Sequence, residues 1–136
     1  MKFLVKEIKS KTGEIHFRRW RFIETRWFSV YLHGIYKADE DKHMHDHPWD
    51  FTSLVLYGYY SEKLRASDGK SDSNVRHPWS IARRKAEQFH MIEKLWTKKV
   101  FTIVITGKRR REWGYNVDGW WIDNVSYRQR KNDGLI

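Results

Sequence analysis

The stretch His43-Met44-His45-Asp46-His47 places three imidazoles at alternate positions. A neutral imidazole lends a lone pair to Zn, Fe, Ni or Cu, and it is the commonest side chain to do so. Alternate side chains of an extended segment share a face. His45 and His47 can therefore reach one ion, with His43 as a further donor on the same side. The chain has no cysteine, so a metal site must use imidazole, carboxylate or water. A third ligand has to come from another segment, and His90, in Phe89-His90-Met91-Ile92, is the candidate. The cofactor expected from this set is a divalent ion: Fe, Zn, Mn or Ni. The alternative is a group of surface histidines at a strand end. His16, His33 and His77 stand singly and read as packing or surface residues.

The histidine face continues through Trp49, Phe51, Ser53, Val55 and Tyr57, provided no bulge intervenes. Trp49 and Tyr57 are the aromatic candidates for contact with a bound molecule. A second chemical signal is Gly107-Lys108-Arg109-Arg110-Arg111-Glu112-Trp113. Arginine offers a planar fork for a carboxylate or phosphate. On a strand Arg109 and Arg111 would share one face and bind an anionic substrate. No catalytic base can be assigned; Asp46, Asp50 and Glu62 are candidates.

Charge points the same way. The 136 residues carry 27 Lys and Arg against 17 Asp and Glu, a net charge of +10. Such a surface attracts anions. A small anionic molecule is the expected partner. Nucleic acid is a less favoured one, because Arg18-Arg19-Trp20-Arg21-Phe22 reads better as a half-buried strand than as a stacking platform. No run approaches the ~20 apolar residues that cross a bilayer, and the patch at the N-terminus is broken by Lys6. The expectation is a soluble, cytoplasmic protein without membrane contact. Exposed aromatic strands are compatible with a homodimer.

Aromatic and β-branched residues must then position these groups. Strands are expected over 2–9, 14–24, 26–36, 45–57, 59–64, 79–85, 88–93, 99–106, 110–116 and 119–127. Lys11-Thr12-Gly13, Gly58 and Asn116-Val117-Asp118-Gly119 read as hairpin turns. Residues 65–76 and 37–42 read as loops, and residues 129–136 as a frayed tail. The whole chain, 1–136, is expected to form one all-β domain with no helix longer than about three turns.

The spacing His45-x-His47, three residues, Phe51, six residues, Gly58 resembles the first cupin motif, and His90 resembles the histidine of the second. Together with Thr106-Gly-Lys-Arg-Arg-Arg-Glu-Trp-Gly-Tyr and Gly119-Trp120, the segment from 27 to 121 is similar to a group of small cupin-like proteins of bacteria and phages. The resemblance implies a cupin-type double-stranded β-helix, a jelly-roll barrel, with the histidines inside one end. It implies a metal-dependent enzyme of dioxygenase or isomerase type, or else a non-catalytic module that binds an anionic metabolite or nucleotide. Two departures stand out. Phe51 occupies the place of the cupin Glu, and Arg84-Lys85-Ala86-Glu87 replaces the usual Pro-x-Gly turn. The register His43-x-His45 with Asp50 restores an acid but displaces the Gly by one. A three-His site resembles that of thiol-dioxygenase-like cupins.

Overall fold

The computed structural model describes residues 3–39, 41–65 and 68–136. Residue 2 of the first expected strand, and residues 40, 66 and 67 of the expected loops, lie outside the described residues. Among the described residues, eleven strands and one helix follow in order: β1 Leu4–Lys9, β2 Ile15–Glu24, β3 Ser29–Ile35, β4 Phe51–Tyr57, β5 Tyr60–Arg65, β6 Ser71–Arg76, β7 Ile81–Arg84, β8 His90–Leu95, β9 Val100–Thr106, β10 Gly114–Val117, β11 Trp120–Asp123 and α1 Asn124–Asn132.

One antiparallel sheet runs β1-β2-β3-β9-β4-β7. Facing it are the ladders β6-β5-β8 and β10-β11. His45 joins these two smaller ladders, pairing with His90 on one side and Tyr115 on the other. The second layer is thereby continuous through the histidine segment. The layers meet over Ile35, Val55 and Val100 from the large sheet and Tyr60, Ile92 and Leu95 from the other. Along β9 the period of two is plain: Val100, Thr102, Val104 and Thr106 are buried, while the residues between them are more open. This is the all-β jelly-roll expected from the sequence.

Glycine sets two of the corners. Asp118 and Gly119 both have positive φ, 52° and 91°, and join Val117 directly to Trp120. That is a two-residue hairpin of the type that needs both central residues left-handed. Gly58, with φ 90°, carries the chain from β4 in one sheet to β5 in the other, so it is a corner between layers rather than a hairpin turn. A Cβ there would meet the Lys99 carbonyl at 2.5 Å.

Three expectations are corrected. Residues 71–76, read as loop, form β6, a polar strand paired in register with β5. The chain from 124 onward, read as strand and frayed tail, is helix α1, capped where the Asp123 side chain accepts from the Ser126 N–H. Tyr127 anchors it, stacked on Tyr115 with ring centroids 3.7 Å apart. The strand expected over 45–57 begins only at Phe51, because the segment before it turns around Pro48.

Candidate metal centre

His45 is fixed by backbone before its side chain is considered. Its N–H donates to the His90 carbonyl and its carbonyl accepts from the His90 N–H, both at 3.0 Å. Asp46 N–H bonds the Gly114 carbonyl and Met44 accepts from Asn116 N–H. Residues 44–46 thus act as a short strand between β8 and β10. The next residue on the inner face, His47, is tied through its N–H to the Ala86 carbonyl. The imidazoles of His45, His47 and His90 converge: one nitrogen from each lies within 4.8 Å of the others.

The pairwise geometry fits a shared ion. His47 Nε2 and His90 Nε2 are 3.3 Å apart. Two ligands at about 2.0–2.1 Å from a tetrahedral zinc-like ion would sit about 3.3–3.4 Å apart. His90 Nδ1 hydrogen-bonds Glu62 Oε2 at 2.6 Å, which leaves Nε2 toward the cluster. Glu62 is buried, and its other oxygen accepts from Arg84 at 2.7 Å. His47 Nδ1 is buried without a hydrogen-bond partner.

Electrostatics keep the ligands in the form a metal needs. Burial, reinforced by His90 and Lys6, drives the His45 imidazole down to about 3. Burial together with His90 and His45 likewise holds His47 well below the usual histidine range. Both are neutral near pH 7, with a lone pair free. Burial alone would raise the Glu62 carboxyl, but bonds and charge from His90 and Arg84 outweigh it and hold it at about 2. Glu62 is therefore an ionised orienting group.

The cluster opens into a cavity of about 590 Å³ between the sheets. Trp49 lines it and stacks on His47, centroids 5.4 Å apart. Phe51, where the sequence departs from the cupin Glu, lies against the cluster 4.6 Å from the His47 ring and 5.9 Å from His90. It is an apolar wall where an acidic ligand could have stood.

Other expected site residues lie elsewhere. The His43 ring turns away and its Nδ1 meets the Tyr127 hydroxyl at 3.0 Å. Tyr57, at the far end of β4 beyond a register shift after Val55, is exposed and packs on Phe101. Arg109 and Arg111 do not line the cavity. Residues 107–113 are not a strand, so the alternation that would have aimed the two arginines together is absent. Arg109 pairs loosely with Glu112 at the surface. Arg111 instead binds buried Asp46 at 2.7 Å and the His47 carbonyl at 3.2 Å, bracing the histidine segment. Asp46 also accepts from Gly114 N–H and Trp121 Nε1, and Asp50 from Ala86 N–H and Arg110. Both carboxylates are committed to structure, as Glu62 is through His90 and Arg84, so none of the three acids expected as candidate bases is free.

The large sheet supplies what the sequence did not single out. Arg19, His33 and Lys6 line the cavity opposite the histidines. Arg19 lay in a motif read as strand, and His33 read as ordinary packing. The signal that unites them is cross-strand register, which a single sequence does not display.

No protein-family model matches this chain, and no curated protein is similar to it in sequence. Solved structures are similar in fold. Hydroxypropylphosphonic acid epoxidase from S. wedmorenis aligns at 10% identity with a TM-score of 0.55, covering 74% of this chain and 55% of the epoxidase. A candidate mannose-6-phosphate isomerase from Ralstonia eutropha JMP134 aligns at 13% identity and TM-score 0.59, covering 68% of this chain and 84% of that one. Oxalate decarboxylase aligns at 12% and 0.61, covering 82% of this chain and 30% of the other. The chain spans about half the length of the epoxidase. At these identities the likeness speaks for the fold, and the fold is that of the cupins: an antiparallel jelly-roll with a three-histidine cluster, His45, His47 and His90, that could hold a metal ion.

Proposed function

We propose that this protein is a metal-dependent cupin enzyme, of dioxygenase or isomerase type, acting on a small anionic molecule. The observation that carries the reading is the convergence of His45, His47 and His90 on one point, with Glu62 orienting His90. Three imidazole nitrogens suit Fe(II), Zn, Mn or Ni. Such an ion, when bound, supplies Lewis acidity and open positions for substrate, water or dioxygen. The chain's own part is separable from that chemistry. Glu62 fixes the orientation of His90, Phe51 and Trp49 exclude water from one side, and the cavity selects a small guest. Solved structures of similar fold include an Fe(II) form and a Co(II) form of a protein named HppE, and the epoxidase in complex with fosfomycin. These support a metal and an anionic substrate here by analogy of fold.

The second reading is a non-catalytic module that captures an anionic metabolite in the same cavity. Phe51 in place of a carboxylate favours it. The two are separated by reconstituting untagged protein with each metal and following a mixture of anionic metabolites by mass spectrometry. An enzyme depletes one metabolite in a metal-dependent way, and His90→Ala abolishes the loss. A module retains a metabolite without converting it under any metal.

A further inference from the structure

β1 and β2 use charge in opposite ways on their two faces. Glu7 stands opposite Arg18 and pairs with it at 2.6 Å. One position along, Lys6 stands opposite Arg19. Like charges directly opposite each other on neighbouring strands destabilise a sheet. Among the described residues neither Lys6 nor Arg19 has a carboxylate partner, and both line the cavity. The row continues across the sheet: Arg19 faces His33, which faces Thr102. Arg19 Nε donates to His33 Nε2 at 3.0 Å, so that imidazole nitrogen is an acceptor.

Arg19 is also held still. Its guanidinium carbon lies 5.6, 5.2 and 5.9 Å from the ring centroids of Phe17, Tyr31 and Trp49. Trp49 in turn stacks on His47, so the cation is one ring away from the histidine cluster. With Nε engaged by His33, the terminal nitrogens remain to meet a ligand. Among the described residues, the acids of the cavity are engaged elsewhere. Glu62 is bound to Arg84 and His90, Asp41 to Lys131, and Asp39 accepts from the Ile92 N–H. Arg128, from α1, adds a further cation to the lining. Burial, and after it the nearby charges of Arg19 and Arg128, lower the Lys6 ammonium.

We propose that Lys6 and Arg19 form the recognition subsite for a phosphoryl group, phosphate or phosphonate, whose remainder reaches the His45, His47 and His90 cluster. A point charge and a planar fork together suit a tetrahedral oxyanion of charge near −2 better than a single carboxylate. The unmatched pair is tolerated because the ligand completes it. This inference rests on the reading of the cavity as a substrate site and names the class of substrate.

The test is a calorimetric titration of the full chain with inorganic phosphate in chelator-containing buffer, so that no metal takes part. Wild-type protein should bind phosphate at one site. Lys6→Gln and Arg19→Met should each weaken binding by about tenfold or more, whereas Lys108→Gln, on the exposed loop, should not. Lys6→Glu should abolish binding yet raise the melting temperature, because it replaces a repulsive cross-strand pair with an attractive one. A purely structural lysine would show the reverse. The inference is overturned if wild type does not bind phosphate, if Lys108→Gln weakens binding as much as Lys6→Gln, or if acetate binds as well as phosphate. A separate cobalt titration keeps the readings apart. Metal binding without phosphate binding overturns the subsite alone, and phosphate binding without metal binding supports it while the metal reading fails.

Discussion

Glu62→Gln probes the support of the centre without touching a ligand. Glu62 accepts His90 Nδ1 at 2.6 Å and Arg84 at 2.7 Å, with only 3% of its side chain exposed. A glutamine has one acceptor oxygen and one donor amide. It can serve His90 or Arg84, but it turns a donor toward the other. One charge-assisted bond is lost and a buried charge is left less well matched, at a cost of about 1–3 kcal/mol of stability. Loss of such an orienting carboxylate typically weakens metal binding about 10–100-fold, or about 1.4–2.7 kcal/mol. Competition against a chromophoric chelator reads the metal affinity in metal-loaded protein. Urea unfolding in chelator reads the stability. If the variant lost stability but bound metal as tightly as wild type, Glu62 would be a structural acid only, and its role in orienting His90 would be refuted.

Two further substitutions test the frame around the site. Asp46→Asn should destabilise by about 3–5 kcal/mol, because it uncouples a buried carboxylate from Arg111, Gly114 and Trp121; urea denaturation measures this, and the loss should exceed that of Arg109→Ala, at an exposed pair. Gly58→Ala should lose more than about 3 kcal/mol, since a left-handed corner is combined with a 2.5 Å approach to the Lys99 carbonyl; a melting temperature close to wild type would contradict the corner's geometry.

The histidine cluster was legible because two of its members follow a period of two and the third lies in a recognisable second segment. The physical route differs in part, since only residues 44–46 pair as a strand and the chain then turns through Pro48. Alternation misled where no ladder exists, at Arg109 and Arg111, and in β4 past the register shift that leaves Tyr57 outside. β6 was hidden because Ser-Asp-Ser-Asn-Val-Arg is polar apart from Val75; its pairing with β5, not its own composition, makes it a strand. α1 was hidden because Trp121, Asp123, Val125 and Tyr127 fall at odd positions that mimic a strand, while the cap that starts the helix is a single Asp. The opposition of Lys6 and Arg19 depends on register between β1 and β2, which includes a shift between Leu4 and Lys6 that no pattern in either strand announces.

Whether His45, His47 and His90 hold one metal ion is read by elemental analysis of untagged protein, reconstituted with Fe(II), Zn, Mn or Ni and freed of excess metal, with His47→Ala treated in parallel. Wild type should hold about one equivalent, bound through nitrogen at about 2.0–2.2 Å by X-ray absorption for a zinc-like ion. His47→Ala should lose nearly all of it with the β-rich circular dichroism spectrum intact. Wild type that takes up no metal, or His47→Ala that retains a full equivalent, would contradict the three-histidine site.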